Sequence, residues 1–268
     1  MIPKIIHYVW LGGEELPNEA KKCIESWKKF CPDYVIKEWN ESNFPINQYL
    51  YAAEAFQKKK WAFVSDVVRL YALVTEGGIY LDTDVELVSS LNEFLTEIAF
   101  SGFESDMGVP TGLMGCECGY SLFKDLLDEY ENIHFIRENG SLDLTTNVTR
   151  ITKACLKKGL IQNNQKQTIA GFTLYPKEYF CPINLKSGKL ETTQNTKAIH
   201  WFAGSWKSER EKQIYQKARR IRSKFGIIGN MCAFLYEKMA ITFYILKTGS
   251  LSELVLRFKD YCKKNKVD

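Results

Sequence analysis

Proline and glycine are scarce in this 268-residue chain, at 7 and 17 residues, which argues against a disordered or fibrous protein. No run of ~18 uninterrupted apolar residues occurs. The nearest, residues 225–246, is broken by Asn230, Glu237 and Lys238. A secretory leader is not expected either, because residues 2–13 are short, interrupted by Lys4 and His7, and lack a small-residue cleavage site. The expected address is therefore cytoplasmic. Eight cysteines are scattered through a chain too long to need disulfide staples, and Cys116-x-Cys118 has neither C-x-x-C spacing nor a second pair. Reduced thiols are expected, without a structural zinc.

What is present is an ordinary globular composition, 45% hydrophobic and 25% charged, with an uneven charge distribution. From Lys207 to Asp268 there are 15 Lys and Arg against 6 Asp and Glu, a net +9, which leaves −5 for residues 1–206. The segment from Lys217 to Lys224 contains Arg219, Arg220 and Arg222 and precedes an apolar, charge-interrupted stretch. Two readings stand side by side: a helix lying on an anionic membrane surface, and a solvated helical face packed on the core. No nucleic-acid-binding motif accompanies the patch, so nucleic acid is not an expected partner.

The spacing of apolar residues alternates between strand and helix. Strands are expected at 4–10, 34–39, 79–82, 98–103, 112–115, 168–175 and 197–202, and helices at 17–30, 45–60, 62–76, 120–130 and 145–158. This pattern predicts an α/β fold with a mainly parallel sheet flanked by helices, in which ligands bind at the carboxyl ends of strands. Trp10, Asp82 and Asp84 all fall at such ends. The one boundary with a compositional basis lies near Trp206.

Gly77-Gly78-Ile79-Tyr80-Leu81-Asp82-Thr83-Asp84 is the most informative run, since it closes an apolar strand with two carboxylates spaced i, i+2. Carboxylates are rarely buried unpartnered, and a strand end opening onto a loop is where a divalent cation and a metal-bound diphosphate can compensate them. Asp66 and Arg69, i and i+3 on an expected helix, project together. Their alternatives are a structural ion pair or a site in which one accepts sugar hydroxyls and the other pairs with phosphate. Trp10, before two glycines, is either a core residue or a ring on which a base stacks.

Trp61-Ala62-Phe63-Val64-Ser65-Asp66-Val67-Val68-Arg69, followed eight residues later by the Gly77–Asp84 run, resembles the Asp-x-Asp sugar-transferase family of yeast initiating mannosyltransferases, bacterial capsule glycosyltransferases and clostridial glucosylating toxins. Ile5–Gly13 and His200-Trp201-Phe202-Ala203-Gly204-Ser205-Trp206 fit the same pattern, so the resemblance spans residues 1–206. It implies a GT-A fold over residues 1–206, with residues 207–268 as a basic helical extension. It also implies a nucleotide-sugar donor, Mn2+ or Mg2+, and retention of anomeric configuration. On this resemblance Asp84 binds the cation directly, Asp82 acts through water or the ribose, and His200 completes the metal set. Trp10, Ser65, Asp66, Arg69, Tyr80, Asp82, Ser205 and Trp206 contact the donor, and Asp66, Arg69, Asp82 and Asp84 carry catalysis. His200 is a departure, because the toxins use a carboxylate in that region.

Lesser candidates are Thr111–Gly115 beside the acceptor, Thr145-Thr146-Asn147 at a helix start facing the donor sugar, and Glu117 and Asp143 as polar contacts. No protein nucleophile is assigned. UDP-galactose and UDP-glucose are the favoured donors with GDP-mannose behind them, and the acceptor is expected to be a lipid-linked oligosaccharide of capsule or surface polysaccharide at the inner face of a membrane. Leu81–Val85 also resembles the Asp-x-Asp-x-Val of haloacid-dehalogenase-type phosphatases, but the downstream acidic pair that chemistry needs is missing: between Asp143 and Glu209 the only acids are the separate Glu178 and Glu191. A non-catalytic sugar-binding or membrane-surface protein on the same fold is the third alternative.

Overall fold

The computed structural model describes residues 1–104, 108–185, 187–204 and 209–248. The chain divides into two compact units. The first comprises residues 1–135, 144–183 and 190–203; the second gathers 136–143, 184–189 and the chain from Gly204 onward.

In the first unit the elements run β1 (Ile5–Val9), α1 (Asn18–Phe30), β2 (Val35–Trp39), α2 (Leu50–Gln57), α3 (Trp61–Glu76), β3 (Gly78–Leu81), β4 (Val85–Leu87), β5 (Ala99–Gly102), β6 (Leu113–Cys116), α4 (Ser121–Glu129), α5 (Asn147–Lys157), β7 (Gln167–Ile169), β8 (Phe172–Tyr175) and β9 (Ala198–His200). Seven strands form one sheet in the order β2-β1-β3-β6-β5-β8-β7, and β4 and β9 form a separate ribbon. β1 is parallel to both β2 and β3, and β5 to β8, while β6 and β7 run against their neighbours. The expected α/β sheet is thus present, mixed but mainly parallel.

Burial explains why these elements form. β3, β5, β6 and β8 are buried at every position, as strands covered on both faces must be. α1 sinks Ala20, Cys23, Ile24 and Trp27 and leaves its lysines outside. Ile6, Ile79, Leu81, Leu113, Phe94, Phe100 and Phe180 meet in the core between them. The double glycine before β3 is required by close approach: a Cβ on Gly77 would lie 2.7 Å from the Cys118 amide nitrogen, and one on Gly78 would lie 2.7 Å from the Ile5 carbonyl oxygen. Both also adopt positive φ, 66° and 93°.

Three expectations are revised. The single helix over 45–60 is a short 3₁₀ turn at Ile46–Gln48 followed by α2. Tyr49 breaks it by taking an extended conformation that buries its ring against Phe44 and Tyr71, with centroids 5.8 and 6.1 Å away. The strand over 168–175 is a hairpin, because Ala170 and Gly171 take φ of 49° and 79°, the left-handed pair that a tight two-residue turn demands. β4 adds a strand where none is expected; three residues are too short to show a period.

The second unit carries α6 (Glu209–Thr248). Lys217 Nζ lies 5.1 Å from the Tyr236 ring centroid, whereas a straight helix would separate the two Cα atoms by about 28 Å. The segment therefore doubles back on itself, with Ala218 and Ala233 fully buried, across a stretch that contains the poor helix formers Gly226 and Gly229. The side chains of Arg219 and Arg222 lie outside the described residues; Arg220 is exposed. Among the described residues no helix is long and apolar enough to cross a membrane.

Candidate active site

The carboxyl edge of the sheet collects most of the expected residues. Just past β3, the Asp82 N–H donates to the Gly112 carbonyl at 2.8 Å, pinning it to the chain entering the antiparallel β6. Asp84 is fixed by the ribbon, in which Val85 pairs with His200. The Trp201 N–H donates to the Asp84 backbone carbonyl at 3.0 Å and the Ala203 N–H to Asp84 Oδ2 at 2.7 Å. α1 buttresses this ribbon, since Trp27 Nε1–H donates to the Val85 carbonyl at 2.7 Å and Ser26 Oγ accepts from the Leu87 N–H at 2.9 Å.

His200 Nε2 lies 3.3 Å from Asp84 Oδ1, and one ligand atom from each of Asp82, Asp84 and His200 falls within 4.8 Å of the others. Two carboxylates and an imidazole suit a divalent cation such as Mn2+ or Mg2+. Gly112 shows that the space between them is kept clear: a Cβ there would lie 3.0 Å from Asp82 Oδ2 and 2.9 Å from His200 Cε1. Burial alone would lower the His200 pKa, but the adjacent Asp84 carboxylate reverses the sign and holds it well above its ordinary value. Burial would likewise raise Asp84; the His200 charge and the Ala203 N–H bring it below the usual range. Without a cation the pair is a salt bridge, so cation binding must release the His200 proton. Gly112→Ala is expected to weaken Mn2+ binding by about tenfold or more, read by calorimetry, while leaving the thermal unfolding midpoint within a few degrees of wild type. Undiminished affinity would show that the gap has no role in cation binding.

Behind the carboxylates, α3 presents Asp66 and Arg69 from its buried face, 7% and 5% exposed. The Arg69 guanidinium donates from NH1 to the Thr111 carbonyl at 2.7 Å. Its NH2 lies 3.2 Å from Ser65 Oγ, 3.3 Å from Asp66 Oδ1 and 3.4 Å from Asp82 Oδ1. Tyr80 stacks beneath it, with the guanidinium carbon 4.7 Å from the ring centroid, and donates its hydroxyl to Asp82 Oδ1 at 2.8 Å. Asp66 is also held by α5, accepting the Asn147 N–H on Oδ2 at 3.0 Å, while Asn147 Nδ2 donates to the Asp66 carbonyl at 3.1 Å. Burial pushes Asp66 up to about 6 against the pull of the guanidinium. Among the described residues, the buried Asn147 Oδ1 has no hydrogen-bond partner.

Trp10 directly follows β1, one strand over from Asp82, and is half-buried. Its ring packs against the core and also lines a pocket of about 410 Å³ with Gly13, Leu16, Glu38 and Asn40. Glu117 lies past the other end of β6 and pairs with the N-terminal ammonium, away from this edge. Asp143 belongs to the second unit, where it accepts from Arg137 at 3.0 Å. Ser205 and Trp206 lie outside the described residues. One acid escaped sequence reasoning: Glu104, just beyond β5 on the same edge, is pushed up by burial and feels the charges of His200 and Asp82. Its position after an apolar strand was the available signal.

The carboxyl edge of the sheet thus carries a strand-end carboxylate pair joined by an imidazole and backed by a buried Asp–Arg pair, a candidate cation site. Residues 17–101 match the glycosyltransferase sugar-binding region containing the DXD motif. An uncharacterized glycosyltransferase of Acanthamoeba polyphaga mimivirus is 30% identical over 203 residues, covering 70% of this chain and 76% of that protein. The chain belongs to this DXD glycosyltransferase family and has its GT-A architecture. A mannosyl phosphorylinositol ceramide synthase of Saccharomyces cerevisiae is 29% identical over 151 residues, 53% of this chain, which spans only 39% of the yeast enzyme. Among solved structures, the PaToxG glycosyltransferase aligns with a TM-score of 0.48 at 19% identity, over 59% of this chain and 70% of that one. Membership displaces the phosphatase alternative, and among the described residues the cluster at Asp82 and Asp84 gains a histidine and no acidic pair from downstream.

Proposed function

We propose that the protein is a retaining, metal-dependent hexosyltransferase that moves a sugar from a nucleotide-sugar to a saccharide acceptor. The observation that carries this reading is the convergence of Asp82, Asp84 and His200 within 4.8 Å at the carboxyl edge of the sheet. Asp84 and His200 are the direct cation ligands and Asp82 the weaker third. A bound divalent cation, Mn2+ in this reading, neutralises the charge that builds on the departing diphosphate. Arg69, whose donors are spent inside the protein, positions Asp82 and Asp66. Asp66 and the free Asn147 Oδ1 accept hydroxyls of the donor sugar. Ser65 orients Arg69, and Tyr80 orients Asp82.

UDP-galactose and UDP-glucose are the favoured donors. The yeast relative's name describes mannosyl transfer to a lipid-linked inositol phosphate, which supports a lipid-linked acceptor and keeps GDP-mannose as the second candidate. The acceptor in this reading is a lipid-linked oligosaccharide of capsular or surface polysaccharide. The basic segment 207–268 docks the protein at the inner face of a membrane. Hydrolysis of a panel of nucleotide-sugars, with the anomer of the released sugar followed by NMR, tests donor and stereochemistry together. Release of the inverted anomer would reject retention.

Trp10 supplies the stacking face for the base. Trp10→Ala is expected to weaken nucleotide diphosphate binding by about 1–3 kcal/mol, measured by calorimetry in the presence of Mn2+. Unchanged affinity would return Trp10 to the core.

A further inference from the structure

The doubled-back helix α6 encloses a groove of about 820 Å³, within the range of sites that hold one small ligand. One wall carries Arg210, Ile214 and Lys217, spaced i, i+4 and i+7 so that two cations flank an apolar residue. The facing wall carries Tyr236, Met239 and Phe243 at i, i+3 and i+7. Met239 and Phe243 are 72% and 71% exposed, which is a cost in water unless something covers them. Among the described contacts, Arg210 meets only Gln213 and Lys217 only the Tyr236 ring, so neither cation is matched there by a carboxylate.

A basic rim over an apolar floor is complementary to an amphiphile with an anionic head, and the net +9 of residues 207–268 favours that head further. We propose that this groove holds a single phosphate-headed membrane lipid, with the phosphate at Arg210 and Lys217 and an alkyl chain along Ile214, Met239 and Phe243. The site is independent of the transferase reading and adds to surface attraction by the arginine cluster a specific seat for one lipid.

The test uses the full chain and dodecyl phosphate below its micelle concentration, followed by calorimetry, with inorganic phosphate and dodecyl maltoside as head and chain controls. Saturable one-to-one binding of dodecyl phosphate is expected, with neither control binding at the same concentration. Arg210→Gln with Lys217→Gln should weaken it by about thirtyfold. Phe243→Ser should weaken it by about tenfold. Sedimentation with phosphatidylglycerol vesicles should fall in the same variants, while circular dichroism and donor hydrolysis stay at wild-type levels. Equal binding by wild type and variants, or binding of inorganic phosphate alone, overturns the proposal. So does vesicle binding that ignores the substitutions. A wild-type dimer that Phe243→Ser converts to monomer without changing amphiphile binding would assign the face to a second copy of the chain instead.

Discussion

Asp84→Asn is expected to lower sugar transfer by at least about a thousandfold while the protein stays folded. The substitution keeps volume and hydrogen-bonding reach but removes the charge that faces His200 and would hold the cation. Asp84 lies outside the apolar core, on a turn fixed by backbone bonds to Trp201 as well as by its own side chain. Loss of that charge should also let the His200 pKa fall toward the value burial dictates, because the carboxylate is what raises it. An NMR titration of His200 in the metal-free variant reads this directly, and an unmoved pKa would break the link between the two residues. Wild-type turnover by Asp84→Asn at saturating Mn2+ would remove it from the reaction.

The second large effect concerns stability. Arg69→Met should destabilise the fold by about 3–5 kcal/mol, since it leaves Asp66 buried without its counter-charge and frees the Thr111 carbonyl and Asp82 together. Neutralising the stranded acid should restore part of that loss, so Arg69→Met with Asp66→Asn is expected to be more stable than Arg69→Met alone. Urea unfolding of the wild type and three variants completes the cycle. Additive losses at Asp66 and Arg69 would mean that the pair is not coupled, and the positioning role of Arg69 would fall with it.

Both expectations turn on residues that are legible in the amino-acid sequence, and the reason is local. Asp82 and Asp84 announce themselves because a buried strand ends on them, and Asp66 and Arg69 because one helical turn separates them. What brings the two pairs together is not local. The 3.4 Å approach of Arg69 to Asp82 depends on packing α3 against β3, and the approach of His200 to Asp84 depends on a two-stranded ribbon between residues 85–87 and 198–200. Its first strand is too short to show a period. Asn147 is visible in sequence only as a helix start. That its N–H and side chain grip Asp66 across 81 residues is a tertiary fact. Gly112 shows the same limit, since a glycine whose missing side chain leaves room between Asp82 and His200 looks in sequence like any other turn glycine. Periodicity misleads where side-chain burial or turn chemistry overrides it, at Tyr49 and at Ala170-Gly171.

The most direct test is release of free sugar from UDP-glucose and UDP-galactose by the full chain, measured with Mn2+ and again after chelation, alongside a simple phosphomonoester such as para-nitrophenyl phosphate. Hydrolysis of at least one nucleotide-sugar with Mn2+, its loss on chelation and recovery on adding the cation back, and an untouched phosphomonoester are the expected results. Donor turnover that persists in chelator, or cleavage of the phosphomonoester, would contradict a cation held by Asp82, Asp84 and His200 in the service of sugar transfer.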